Sequence, residues 1–305
     1  MQKVIETIIG HVSQVLIGKE QQVKLSLACL FARGHLLIED LPGMGKTTLA
    51  HGLASVLGLS YQRIQFTSDL LPADVIGVSV FNRDKSEFEF HPGPVFSQLL
   101  LADEINRTTP KTQSALLEAM AEGQVTVDGE TRPLPQPFFV IATQNPVNQA
   151  GTFPLPESQL DRFLMRIELG YPDPASERQI LSGTDPRKLL QQLKPLISPE
   201  QLTAIQNKVD TIKASEALID YLQRLIQHTR EAPVFHHGLS PRGALAVLQG
   251  ARAWALIHGR GYTIPEDIQA VFPAVAGHRL RVKAELAEHS DVALAEQVLG
   301  SVDIL

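Results

Sequence analysis

Lys46 and Thr47 follow two closely spaced glycines in Glu39-Asp40-Leu41-Pro42-Gly43-Met44-Gly45-Lys46-Thr47-Thr48. Gly43 and Gly45 let the backbone turn tightly, so that its N–H groups can face phosphate oxygens. Lys46 puts a cation beside β- and γ-phosphates, and Thr47 offers a hydroxyl to Mg²⁺. Pro42, Met44 and Thr48 complete the loop. One position departs from G-x-x-x-x-G-K-[ST]: Asp40 stands where the first glycine would fall. A tight turn carrying a solvated lysine is the bland alternative.

Holding a nucleotide and hydrolysing it are different tasks. Hydrolysis also needs Mg²⁺, an aligned water and cationic charge near the γ-phosphate. Asp103 and Glu104 end the apolar run Leu99-Leu100-Leu101-Ala102. Asp103 can hold the metal, and Glu104 can polarise the water. Asn145 ends a later apolar run, either as a turn former before Pro146 or as an amide for the γ-phosphate or the water. Arg162 and Arg242 are surface or salt-bridge arginines by type alone. A lid arginine can also bridge the γ-phosphate, and one from a neighbouring subunit can stabilise transition-state charge.

These residues need a scaffold that brings strand ends together. His35-Leu36-Leu37-Ile38 reads as a buried strand before the loop, and Leu49–Leu57 as a helix after it. Tyr61–Phe66, Leu99–Ala102, Phe138–Ala142 and Phe163–Leu169 read as further strands. Strands alternating with helices indicate a mainly parallel sheet covered on both faces, whose C-terminal strand ends line a ligand crevice. Residues 1–33 read as two helices broken at Gly18. Residues 67–97 read as a long loop or as a loop enclosing a hairpin, Val78–Phe81 against Phe88–Phe90. Asp128-Gly129 predicts a second hairpin. Thr109-Pro110, Ser198-Pro199-Glu200-Gln201, Ser215, Ser240-Pro241 and Thr263 open helices. The pattern turns helical beyond Gly170-Tyr171-Pro172.

Composition excludes several classes. With 305 residues, 44% hydrophobic and 20% charged, the chain is an ordinary globular one. No apolar run reaches the ~20 residues of a membrane span, and the first residues lack a secretory-signal pattern, so a cytoplasmic location is expected. Cys29 is the only cysteine, which rules out an intramolecular disulfide. Net charge of −6 argues against a nucleic-acid partner. His236-His237 lacks a third ligand at metal spacing, and Thr48 occupies the third glycine position of a dinucleotide fingerprint.

Taken together, these stretches resemble the MoxR family of AAA+ ATPases, of the branch with an insert after the second strand. Residues 37–47, Leu101-Ala102-Asp103-Glu104-Ile105-Asn106-Arg107, residues 113–120, Ala142-Thr143-Gln144-Asn145-Pro146, residues 151–163 and Ser240-Pro241-Arg242 carry the likeness. The resemblance implies a P-loop α/β core over 1–172 and a smaller all-helical lid over 173–305. It implies an insert hairpin near 77–91 and another near 124–132. Lys46 and Thr47 would be Walker A, Asp103 and Glu104 Walker B, Asn145 sensor 1, Arg162 an arginine finger acting in trans and Arg242 sensor 2. Ile17 and Gly18 fall in the stretch that packs near adenine. ATP and Mg²⁺ would bind between subunits of a ring, typically a hexamer. The partners would be protein clients, often with von Willebrand factor A domains. A motor within a metal-insertion or cofactor-activating machine, a nucleic-acid motor and a P-loop small-molecule kinase are the alternatives.

Overall fold

The computed structural model describes residues 1–145, 152–183, 186–282 and 291–304. Helices α1 (Gln2–Val15) and α2 (Glu20–Phe31) lead into β1 (Leu36–Glu39), α3 (Lys46–Val56) and β2 (Tyr61–Gln65). A short α4 (Pro72–Ile76) precedes the antiparallel hairpin of β3 (Gly77–Asn82) and β4 (Glu87–Pro92). Next come β5 (Leu99–Asp103), α5 (Pro110–Glu122) and a second hairpin, β6 (Gln124–Val127) with β7 (Glu130–Pro133). β8 (Phe139–Gln144), α6 (Glu157–Leu160) and β9 (Met165–Ile167) follow.

Five strands form one parallel sheet in the order β2-β5-β8-β1-β9. Alternation within each strand sorts its side chains between two cores, because successive residues point to opposite faces. Leu36, Ile38, Leu99, Leu101, Phe139 and Ile141 join one core; Leu37, Leu100, Ala102, Val140 and Ala142 join the other. Both faces are covered, so these strands read as unbroken apolar runs. β9 is shorter than the run 163–169 suggests: its alignment on β1 covers only Met165–Ile167.

The remaining helices are α7 (Pro174–Ser182), α8 (Pro186–Gln192), α9 (Pro199–Asp210), α10 (Glu216–Glu231), α11 (Pro241–Ile257), α12 (Pro265–Ala276) and α13 (Asp291–Gly300). This part is not all-helical, contrary to expectation, because β10 (Phe235–His237) runs antiparallel to β11 (Arg281–Val282). Ser198, Ser215 and Ser240 cap α9, α10 and α11 by accepting backbone N–H groups. Their hydroxyls satisfy donors that the first helical turn leaves free. α12 starts at Pro265, and there the Asp267 carboxylate accepts the Ile264 N–H at 2.9 Å.

The helical part does not build a separate core. Leu202, Leu222, Val247, Trp254 and Phe272 belong to the same apolar cluster as Ile5, Val12, Leu27 and Phe31 of α1 and α2. The N-terminal helix pair is therefore the floor on which the lid sits.

His35, one residue before β1, is buried within this framework. Its Nδ1 accepts the Val140 N–H at 3.0 Å, and its Nε2 lies 3.2 Å from the Met120 carbonyl, which defines a neutral Nε2–H ring. Burial pushes its pKa down to about 4, and burial also holds His278 well below its ordinary value. A histidine forced to stay neutral favours unfolding as pH falls, since the unfolded chain takes up the proton first. That loss runs from the ordinary value near 6.5 down to about 4. His35 alone should cost roughly 2 kcal/mol of stability between pH 7 and pH 5. Urea unfolding at the two pH values should show a shallower loss for His35→Gln than for wild type, whatever that variant does at pH 7.

Candidate active site

The strand-to-helix turn after β1 is a phosphate-loop conformation. Gly43 and Gly45 take positive φ of 86° and 94°, a region costly for residues with a Cβ. The turn delivers Lys46 and Thr47 to the first turn of α3, where free N–H groups and the helix dipole favour an anion. Asp40 has a structural task at the position where the motif expects glycine. Its carboxylate accepts the N–H groups of Leu41 at 2.8 Å, Leu169 at 2.8 Å and Gly170 at 2.7 Å. It thus ties the start of the loop to the segment leaving β9, which runs on into α7. Glu39 adds an ion pair to Arg166 of β9 at 3.1 Å.

The parallel sheet carries the other groups to the same end. Asp103 closes β5, and Glu104 follows with φ of 56°. Thr143 of β8 fixes both acids: its hydroxyl donates to Asp103 Oδ1 at 2.6 Å and accepts the Glu104 N–H at 2.8 Å. Asn145, just beyond β8, donates through Nδ2 to Glu104 Oε1 at 3.2 Å, and its backbone carbonyl accepts from Asn106 at 3.2 Å. Lys46 Nζ donates to the Asp40 carbonyl at 2.5 Å and lies 3.5 Å from Asn145 Oδ1. Burial lowers the Lys46 pKa, while the carboxylates of Asp40, Asp103, Glu104 and Glu39 act against that shift.

These groups line a cleft of about 560 Å³: Pro42, Gly43, Gly45, Lys46, Thr47 and Thr48 on one side, Asp103, Glu104 and Asn145 on the other. The Met44 side chain instead packs against the core. Ile17 and Gly18 do not line the cleft, although their turn lies against it: a Cβ on Gly45 would come within 2.8 Å of Leu16 Cδ1. Gly18 faces the start of α7, where a Cβ would sit 2.4 Å from Ser176 Oγ. Pro146 and Gly151, part of the motifs noted in the sequence, lie outside the described residues.

Arg162 and Arg242 are not brought to this cleft. Both line a second cavity of about 310 Å³, together with Arg33, Asp161, Leu245 and Arg279. Arg242 Nη1 lies 3.7 Å from Asp161 Oδ2, and Arg279 Nε donates to Asp161 Oδ1 at 2.7 Å. In this structure Arg242 is turned to Asp161, away from the phosphate loop of its own chain. The reason is the seating of α11 on α2, which points its first turn at the Asp161–Arg162 segment.

Sequence reasoning missed Arg63, Gln65 and Leu190, all of which line the nucleotide-sized cleft, and Thr143 behind it. Arg63 and Gln65 alternate on the edge strand β2, with Gln65 aligned on Asp103. That alternation of polar residues beside an otherwise apolar sheet was the available signal. Arg63 donates to Asp103 Oδ2 through Nη2 at 2.6 Å and Nε at 3.2 Å. Gln65 and Arg107 donate to Glu104 Oε2 at 2.8 and 3.1 Å.

A metal can be tested on the donor set. Thr47, with its hydroxyl, and Asp103, with its carboxylate, both line the cleft, and no group of three or more metal-binding side chains occurs among the described residues. One carboxylate with one hydroxyl suits Mg²⁺ that takes its other ligands from phosphates and water. The residues fit that ion. Among the described residues no helix is long and apolar enough to cross a membrane.

Comparison with known proteins bears on the whole chain. Residues 35–165 match the ATPase family associated with various cellular activities, and residues 227–298 match an AAA lid domain. The chain is 48% identical to the uncharacterized protein YeaC of Bacillus subtilis, over 91% of this chain and 87% of that one. It is 41% identical to Chaperone MoxR1 of Mycobacterium tuberculosis, over 90% of this chain and 75% of that one. A crystal structure from Cytophaga hutchinsonii, described as a candidate ATPase, superposes with a TM-score of 0.89 at 39% identity. That match covers 99% of this chain and 95% of the other.

Proposed function

The chain belongs to the MoxR family of AAA+ ATPases, and from that premise we propose that it hydrolyses ATP in a Mg²⁺-dependent reaction that remodels or matures partner proteins. The observation that carries the reading is the convergence of Lys46, Asp103, Glu104 and Asn145 on one cleft at the mouth of the phosphate loop. Lys46 and the loop N–H groups bind and orient the β- and γ-phosphates. Thr47 and Asp103 are the residues that would hold Mg²⁺, whose chemistry is to neutralise charge developing on the phosphate oxygens. Glu104 orients and polarises the attacking water, and Asn145 fixes Glu104 through its amide. The turn carrying Ile17 and Gly18 forms the adenine edge.

Among the described residues Arg63 is the only arginine lining this cleft, and it is paired with Asp103. Arg162 and Arg242 stand together on another face, and Arg162 has no ion pair among the described residues. We assign both to the cleft of the next subunit in a closed ring of six. Heterologous contacts of that kind close into rings. In this reading residues 1–172 form the nucleotide-binding unit and 173–305 the lid, at work in the cytoplasm. A client bearing a von Willebrand factor A domain fits the family.

Binding is the first thing to measure. Fluorescent ATP analogue should bind the wild-type protein and bind Lys46→Ala about 10- to 100-fold more weakly, the effect of deleting a charged hydrogen-bonding partner. Equal affinity in the two proteins would remove the phosphate-loop reading.

A further inference from the structure

Among the described residues Arg63 is the one arginine lining the cleft, and the hydrolysis scheme above does not use it. Its guanidinium holds a single oxygen, Asp103 Oδ2, through two nitrogens at 2.6 and 3.2 Å. The other oxygen, Oδ1, is committed to the Thr143 hydroxyl at 2.6 Å. Asp103 thus has one oxygen free of the core, and a cation from its own chain already covers it. The two side chains differ in freedom: that of Asp103 is 12% exposed and that of Arg63 is 48% exposed. The acid is fixed and the arginine can swing. Arg63 also donates to Gln65 Oε1 at 3.2 Å, and Gln65 in turn donates to Glu104 Oε2. One edge-strand arginine therefore contacts the metal-side acid and, through Gln65, the water-side acid.

The geometry points to Arg63 as a built-in counter-cation that occupies the metal-binding oxygen of Asp103 until Mg²⁺ with nucleotide displaces it, so that Arg63 sets how strongly Mg²⁺ promotes nucleotide binding. Electrostatics supply the motive. Two adjacent carboxylates at one strand end repel each other, and a guanidinium held on Asp103 lowers that cost. The arrival of a divalent ion beside Asp103 puts like charges together and expels the half-exposed arginine into solvent. Arg63 is a positioning residue in this scheme. It acts through Asp103.

The inference rests on the nucleotide-binding reading above, and one experiment separates the two. ADP affinity is measured by calorimetry in EDTA and again in saturating Mg²⁺, and the ratio of the two dissociation constants is taken for wild type and for Arg63→Gln. The ratio reports metal coupling and cancels a uniform loss of affinity. It should rise about 3- to 10-fold in the variant, the effect of removing a half-exposed charge-assisted pair that competes with the ion. An unchanged ratio would reduce Arg63 to a structural role, and a lower ratio would make it an aid to the metal; either overturns the inference. Wild-type protein that binds no ADP under either condition would overturn the nucleotide reading itself. Arg63→Met, which keeps the aliphatic stem, gives the same comparison if the glutamine variant fails to fold, as judged by thermal unfolding.

Discussion

Glu104→Gln is expected to bind ATP within a few-fold of wild type and to lose about 10²- to 10⁴-fold in turnover, the range for removing a positioned general base. The argument lies in what surrounds the carboxylate. Oε1 accepts from Asn145, and Oε2 accepts from Gln65 and Arg107. Three donors converge on it, so the ionised acid is held in place and aimed into the cleft. Glutamine keeps the size and one acceptor oxygen but turns a donor toward one of those partners and cannot draw a proton from water. None of the groups that hold the phosphates, Lys46 foremost, touches Glu104 directly. Single-turnover hydrolysis and equilibrium binding measured on the same preparation separate the two effects. Turnover that survives the substitution would remove Glu104 from the chemistry. The variant should also trap an ATP-bound complex, which makes it the tool for recovering a client from an extract.

The second large effect is expected from Arg162→Ala. An arginine supplied to a phosphoryl-transfer site from outside contributes about 10³- to 10⁵-fold to turnover. Arg162 lies away from the cleft of its own chain, so its removal should leave the affinity of the isolated subunit for ATP unchanged. Mixing experiments give the sharper test. Lys46→Ala and Arg162→Ala should each be inactive alone, yet a mixture of the two should recover part of the activity. Some interfaces in a mixed ring then pair an intact loop with an intact arginine. A mixture as inactive as its components, with the assembly intact by light scattering, would mean that the site is not shared between subunits. Arg242 should behave like Arg162 in that mixture, because Asp161 holds it on the same face.

The separation of these two effects shows which parts of the site could be read from the chain. Lys46, Thr47, Asp103 and Glu104 were legible because each lies at the junction of a strand with its own following turn. Apolar runs announce the strands, and the parallel sheet gathers their C-terminal ends. Both hairpins were legible for a related reason. Asp128 and Gly129 carry φ of 53° and 80°, the signs a tight hairpin turn requires, and Asn82 closes its own turn by accepting the Asp84 N–H at 3.0 Å. Arg63 carried only a faint signal, the polar alternation with Gln65, and Thr143 stood unremarked two residues before Asn145; that either one touches Asp103 depends on how β2, β5 and β8 align.

What the sequence determined by itself are the features built from interactions a few residues long: the phosphate loop, the caps at Ser198, Ser215 and Ser240, the paired acids and the two hairpin turns. Tertiary structure alone decided the partners far apart in the chain. Asp40 reads only as a departure from the general motif, one that the resembling family shares, and its carboxylate's hold on the amides of Leu169 and Gly170 shows what it does. Arg242 reads as a lid arginine able to bridge a γ-phosphate, and only the fold shows that its partner within the chain is Asp161. Arg63 is an ordinary strand residue until β2 aligns with β5 and places it on Asp103. The physical reason is common to all three. Side-chain type and spacing fix what the backbone does locally, whereas the partner of a charged group depends on which elements pack together and in what register.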